Sequence, residues 1–121
     1  MEYLRIWNIN NHELIAQNAQ KADRFISRLK GLLGRSEFLE GEALIICPCD
    51  MVHSFGMKFA IDVAFLDQEY KVLYLLDNMV PQRISPRVKK AQYVLELPAG
   101  KLKRSKTRTG DILKIEAAPR T

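Results

Sequence analysis

A chain of 121 residues with 47% apolar and 27% charged side chains has the length and composition of one globular domain, which we place at residues 1–121. No run approaches the roughly 18 consecutive apolar residues that a membrane-spanning helix needs, and the first residues do not resemble a signal peptide, so we expect a cytoplasmic protein without a membrane span. Two cysteines are too few for a disulfide framework, and the net charge of +5 favours contact with anions.

The first part of the chain predicts a β-hairpin followed by a helix. Residues 3–9 and 13–16 have extended patterns, and two asparagines between them favour a turn. From Ala22 onward, apolar residues recur at helical spacings opposite a charged face. This pattern predicts one main amphipathic helix, at about residues 19–33, that lies on a sheet.

The rest of the chain predicts short strands. Apolar runs typical of strands occur at residues 43–47, 59–66, 70–76, 93–97 and 112–117. A short polar turn joins the second and third of these runs, which predicts a second hairpin, and residues 78–90 predict a long exposed loop. Six or seven short, largely antiparallel strands with one main helix indicate a mainly β (α+β) fold, a β-sandwich or barrel with the helix over one opening.

Chemically reactive residue types concentrate in the segment ICPCDMVHSFGMKFAID, residues 46–62. A Cys/His-dependent enzyme could use Cys49 as a nucleophile, His53 as its base and Asp62 to orient the base. The same side chains could serve a metal-dependent enzyme, but the chain has only two Cys and two His, and their spacing is not that of a structural zinc site. We therefore predict no metal and no cofactor, and keep the enzyme as an alternative.

Strand alternation separates two faces in this segment. Met57 and Phe59 share one face, whereas Asp62 lies on the other among small and apolar neighbours. A buried carboxylate must be paired or hydrogen-bonded, so a structural aspartate bound by loop amides or by an arginine is the more common case. The mixture of apolar and polar residues also suits a small cleft, and the favoured function is a non-enzymatic module that binds a small molecule or peptide. The candidate ligand-binding residues are Cys49, His53, Phe55, Met57, Asp62 and Glu96.

The excess positive charge lies in the second half of the chain. Residues 83–120 contain 11 Lys and Arg against 3 Asp and Glu, which makes nonspecific nucleic-acid binding through residues 83–108 a second alternative. The region lacks the interleaved aromatic residues of base-stacking proteins, and a solvated charged loop is the more common explanation. The residues that would contact nucleic acid are Arg83, Arg87, Lys89, Lys90, Lys101, Lys103, Arg104, Lys106 and Arg108.

Four segments, in the order SRLKGLLGR, PCDMVHSFGMKFAIDVAFLD, AQYVLELPAG and GD, resemble one small prokaryotic family, that of domain of unknown function 192. The similarity extends from about Ala16 to the end of the chain. It implies a β-sandwich-like fold with one main helix, and it implies no established activity. The positions that match the family pattern are Gly31, Leu32, Cys49, His53, Phe55, Met57, Asp62, Phe65, Leu66, Asp67, Leu95, Glu96, Pro98, Gly100, Gly110 and Asp111.

Overall fold

The computed structural model describes residues 3–22 and 37–118, and these form seven β-strands and one short helix. The mainly β fold predicted from the sequence is confirmed, as are both hairpins. The elements are β1 (Leu4–Asn8), β2 (Glu13–Ala22), β3 (Glu42–Ile46), β4 (Ile61–Leu66), β5 (Val72–Met79), β6 (Tyr93–Pro98), α1 (Lys101–Arg104) and β7 (Leu113–Ala117).

All seven strands belong to one sheet, in the order β5-β4-β6-β3-β2-β1-β7. Only the β2–β3 pair is parallel among these neighbours. The two edge strands approach each other at one end, where Val72 donates its N–H to the Asp111 carbonyl at 2.8 Å and Leu113 donates to the Tyr70 carbonyl at 3.0 Å. The sheet therefore curls into a half-barrel, which realises the barrel-like form of the predicted fold.

Apolar side chains pack on both faces of this curled sheet. The barrel core draws residues from strands at both ends of the sheet, including Ile6, Val72, Leu95, Leu97, Leu102 and Leu113. The loop core lies on the other face and combines strand residues with residues of two loops, including Leu44, Val52, Met57, Val63, Phe65 and Val94. The predicted alternation is confirmed, because β4 sends Val63 and Phe65 to the loop core and Ala64 and Leu66 to the barrel core.

The helix predicted at residues 19–33 was wrong for residues 19–22, which belong to β2. Ala19 pairs with Leu4 on one side and with Ala43 on the other, so ladder hydrogen bonds on both sides outweigh the helical spacing of the apolar residues. The remainder of that predicted helix, residues 23–33, lies outside the described residues. The basic connection after β6, interpreted as a solvated charged loop, contains α1. This helix begins after Gly100, which has a φ of 91°.

Two phenylalanines of opposite burial test this packing. Phe65 is fully buried in the loop core, whereas Phe55 is 43% exposed. We expect Phe65→Ala to lower the free energy of unfolding by about 3–5 kcal/mol, because it removes buried contacts and leaves a cavity. The same change at Phe55 is expected to cost below about 1 kcal/mol. Urea unfolding of both variants measures the difference, and equal losses would contradict the described burial.

Candidate functional site

Asp62 is the most deeply placed of the candidate residues. Its side chain is fully buried on β4, opposite Leu97 and on the barrel-core face. Oδ1 accepts the backbone N–H of Asn78 at 2.8 Å, and Oδ2 accepts the backbone N–H of Leu102 at 2.9 Å. The carboxylate thus joins three elements, β4, β5 and α1. Two charge-assisted hydrogen bonds compensate for its burial, as expected for a structural aspartate.

Both amides that Asp62 accepts are ones that regular secondary structure leaves without a partner. A β-bulge interrupts the β4–β5 ladder here, because Ile61 pairs with Met79 and Val63 with Leu76, so two residues of β5 lie opposite Asp62. The other amide belongs to the first turn of α1, where N–H groups have no intrahelical acceptor. The N-cap residue Gly100 has no side chain to supply one, and Asp62 provides the cap from a distant strand.

Glu96 lies on the opposite face of the sheet from Asp62. It is fully buried on β6, and its register partners Leu44 and Val63 both belong to the loop core. Met57 and Cys49 also pack in the loop core. The structure therefore places Glu96 on the same face as Met57 and Cys49, and it separates Asp62 from all three.

Two loops on the loop-core side are joined into an antiparallel pair, which we call the paired loops, residues 49–57 and 80–88. Ser54 donates its N–H to the Arg83 carbonyl, and Ser85 donates to the Val52 carbonyl, both at 2.9 Å. Between these bonds, His53 and Ile84 form an isolated β-bridge. The paired loops are therefore held in a fixed conformation although they lie outside the main strands.

Two buried serine hydroxyls reinforce the paired loops. Ser54 Oγ donates to the Val80 carbonyl at 2.7 Å and accepts the Arg83 N–H at 3.0 Å. Ser85 Oγ accepts the Val52 N–H at 2.9 Å and donates to the Pro86 carbonyl at 2.9 Å. Among the described residues, no buried side-chain nitrogen or oxygen lacks a hydrogen-bond partner. These serines thus satisfy backbone groups that a sheet ladder would otherwise satisfy.

The outward side of the paired loops carries several large apolar side chains. Val52 and Ser54 are buried, so the alternating Met51, His53 and Phe55 point outward, with Ile84 directly opposite His53. Met51 is 41% exposed, Phe55 43% and Ile84 60%. We call these four residues the ribbon face. Its aromatic rings touch, with 5.2 Å between the centroids of His53 and Phe55, and His53 Nδ1 accepts the Phe55 N–H at 3.2 Å.

Sequence reasoning included His53 and Phe55 among the candidates but missed Ile84, Ser54 and Ser85. In the segment MVHSF, the outward positions are apolar or aromatic and one inward position is a serine, which reverses the usual polarity of a half-buried strand. The alternation from Met51 to Phe55 could have indicated an extended segment. Which of its two sides points outward is known only once the second loop is placed beside the first.

The three residues of the enzyme alternative have separate structural partners. Cys49 Sγ donates to the Met51 carbonyl at 3.2 Å, His53 lies on the ribbon face, and Asp62 lies across the sheet from the loop core. Cys47 and Cys49 are not joined in a disulfide. No group of three or more His, Cys, Asp or Glu side chains in residues 3–22 and 37–118 is placed to hold a metal ion. This arrangement gives no support to a Cys/His nucleophilic centre.

Several of the basic side chains proposed for nucleic acid are paired with carboxylates. Glu40 accepts hydrogen bonds from Lys101 at 2.7 Å and Arg104 at 2.8 Å, and the Lys101 bond contributes most to lowering the pKa of Glu40. Further ion pairs join Arg87 to Asp50 at 3.2 Å and Lys103 to Asp77 at 3.0 Å. These pairs reduce the field available to a polyanion.

The remaining basic side chains of this region belong to three segments. Arg83 lies on the second of the paired loops, Lys89 and Lys90 precede β6, and Lys106 and Arg108 lie in the turn after α1. Nonspecific nucleic-acid binding through residues 83–108 stays a prediction.

These features define a class of protein: a small domain built on one curled, mainly antiparallel sheet, with paired loops packed on one face. Within the part of the chain that the structure describes, no helix is long and apolar enough to cross a membrane. The chain belongs to the DUF192 family, described as an uncharacterized ACR, whose model matches residues 6–115. The family resemblance seen in the sequence is thereby confirmed.

Two relatives agree with this assignment. The chain is 40% identical over 96 residues to a UPF0127 protein of Pyrococcus abyssi, covering 74% of this chain and 79% of that protein. It is 32% identical over 98 residues to a UPF0127 protein of Pyrococcus horikoshii, covering 77% and 83%.

Two crystal structures share the fold. One is a protein of unknown function from Novosphingobium aromaticivorans, with a TM-score of 0.77 and 20% identity, covering 92% of this chain and 82% of the other. The second is a Sinorhizobium meliloti protein provisionally described as a transcription regulator, with a TM-score of 0.75 and 22% identity, covering 93% and 92%. At these identities, the similarity shows the fold alone.

The structural role of Asp62 can be tested with a matched aspartate. Asp62 uses both carboxylate oxygens, whereas Asp67 accepts the N–H groups of Glu69 and Lys71 through Oδ1 alone. Asparagine keeps one acceptor oxygen, so Asp62→Asn should lose one buried bond and destabilise the protein by about 2–3 kcal/mol. Asp67→Asn can keep both of its bonds and should cost below about 1 kcal/mol. Urea unfolding checks this order, and an equal or reversed order would contradict the structural role.

Proposed function

We propose that this protein is a non-catalytic binding module that holds a peptide segment of a partner protein against the ribbon face. The observation that carries this proposal is the exposure of Met51, Phe55 and Ile84 on loops that are fixed by hydrogen bonds. Large apolar side chains that are grouped and exposed commonly mark protein-protein contact sites. The prediction of a small cleft at the VHSFGMKFAID motif stays a prediction, and the ribbon face includes the first part of that motif.

The fixed conformation of the paired loops favours binding. Main-chain bonds and the hydroxyls of Ser54 and Ser85 already order this region. A partner therefore does not have to order it, and the entropy cost of association falls. The aromatic ring of Phe55 offers a large apolar contact at low conformational cost and is the expected main anchor.

Charge around the ribbon face indicates what kind of peptide would bind. Residues 49–60 and 80–92 contain five Lys and Arg but one acidic residue, Asp50, which is paired with Arg87. A partner with apolar anchors flanked by Asp or Glu would complement this surface, and the positive field would speed its association.

We place the protein in the cytoplasm, where the thiols of Cys47 and Cys49 would stay reduced.

Selection of peptides on the folded protein tests this proposal. Phage-displayed random peptides are selected on the wild-type chain and then measured on Phe55→Ala and on Tyr74→Ala. Tyr74 is the matched control, because it is also an exposed aromatic residue, at 38%, but lies on β5. We expect enriched peptides with apolar and acidic residues, a loss of affinity of about tenfold or more in Phe55→Ala, and less than about twofold in Tyr74→Ala.

Three outcomes would contradict the peptide-binding proposal. The first is the absence of any enriched sequence after selection, and the second is an enrichment of basic peptides. The third is unchanged affinity in both Phe55→Ala and an Ile84→Ser variant, which would show that the bound peptides contact another surface.

A further inference from the structure

We infer that the turn after α1 forms a second binding site, which takes a small phosphomonoester that carries an apolar group. The site is a cavity of about 300 Å³ between β5 and α1, which we call the β5–α1 cleft. Leu75 and Leu102 form its apolar wall, and Lys103, Lys106 and Arg108 line it as cations. The inference does not depend on the peptide-binding proposal, because none of these residues belongs to the ribbon face.

The charge of the cleft matches a dianion. Asp77 is the acidic residue in its lining, and Lys103 neutralises it through an ion pair of 3.0 Å. Lys106 and Arg108 form no ion pair with any described residue, and both are exposed. The cleft therefore keeps two positive charges. A phosphomonoester carries about −1.5 to −2 at neutral pH, and arginine is well suited to bind its oxygens.

Buried hydrogen bonds fix the backbone that carries Lys106. The N–H of Thr107 donates to the Leu102 carbonyl at 3.0 Å, and its Oγ1 lies 2.8 Å from Ser105 Oγ. Asn8, which is fully buried, donates from Nδ2 to Thr107 Oγ1 at 3.3 Å. Lys106 itself has φ of 54°, a left-handed conformation that these bonds hold in place.

The backbone at Arg108 is fixed in the same way. Its N–H donates to Asp111 Oδ2 at 2.8 Å, and the same oxygen accepts Asn8 Nδ2 at 2.8 Å. Asn8 on β1 thus forms hydrogen bonds to both sides of the turn, at Thr107 and at Asp111. The two cationic side chains are presented from a backbone that is already ordered, which lowers the entropy cost of binding an anion.

The apolar wall and the volume restrict the ligand further. Leu102 is 3% exposed in the barrel core and Leu75 packs against that core, so this wall is part of the folded interior. An inorganic anion would use the cations but not this wall. A cavity of about 300 Å³ lies at the small end of ligand sites, which span roughly 300–1,000 Å³. These features favour a small molecule with both a phosphate and an apolar group.

Methyl and amide NMR titrations of the full chain with phenyl phosphate test this site. Inorganic phosphate and phenol serve as separate arms that carry the charge alone and the apolar ring alone. We expect phenyl phosphate to bind about tenfold more tightly than either, with shifts at the methyls of Leu75 and Leu102 and at the amides of Lys106 and Arg108. A double variant, Lys106→Gln with Arg108→Gln, should lose about tenfold or more in affinity.

The matched control is Lys89→Gln with Lys90→Gln, which removes the same charge from two residues outside the lining of the cleft and should change affinity less than about twofold. An equal loss in both double variants would show a general charge effect and overturn the inference. So would equal binding of phenyl phosphate and inorganic phosphate, or the absence of saturable binding. None of these results bears on peptide binding at the ribbon face.

Discussion

The buried carboxylate of Asp62 is the interaction on which the arrangement of this molecule depends. It accepts one amide released by a β-bulge in β5 and one left open by the first turn of α1. Without it, the buried amide of Leu102 and the part-buried amide of Asn78 would lose their acceptor at the same point. Past this junction the chain continues from β5 into the second of the paired loops and through α1 into the basic turn. The second of the paired loops, which carries Ile84, and the turn that carries Lys106 and Arg108 therefore both follow residues that Asp62 holds.

Burial on both faces of the sheet explains why the sites lie where they do. Every residue of β4 is buried, because the barrel core and the loop core take alternate side chains. A central strand of this kind supplies stability and offers little surface to a ligand. The two proposed sites accordingly lie on connecting segments, the paired loops on one side and the turn after α1 on the other. In both, buried hydroxyl and amide side chains such as Ser54 and Asn8 provide the order that a sheet provides elsewhere.

Local patterns in the sequence predicted the strands, both hairpins and the two faces of β4, because these depend on period-two alternation and turn residues. The predicted helix was wrong at Ala19 and Ala22, whose spacing of three fits one face of a helix but places them on opposite faces of β2. Their parallel pairing with β3 involves residues 24 positions away and leaves no local signal. Asp62 was expected to bind loop amides or an arginine. Its donors are backbone amides, but they belong to β5 and α1 and lie 16 and 40 residues away in the sequence. The ribbon face likewise required two loops to be placed together.

Amide hydrogen exchange of the native protein tests the role of Asp62 most directly. In a helix as short as α1, the first-turn amide of Leu102 would ordinarily exchange rapidly, as would the bulged amide of Asn78. If Asp62 holds both, these two amides should exchange as slowly as those of the β4–β6 ladder. Rapid exchange of both, with the ladder still protected, would contradict the account.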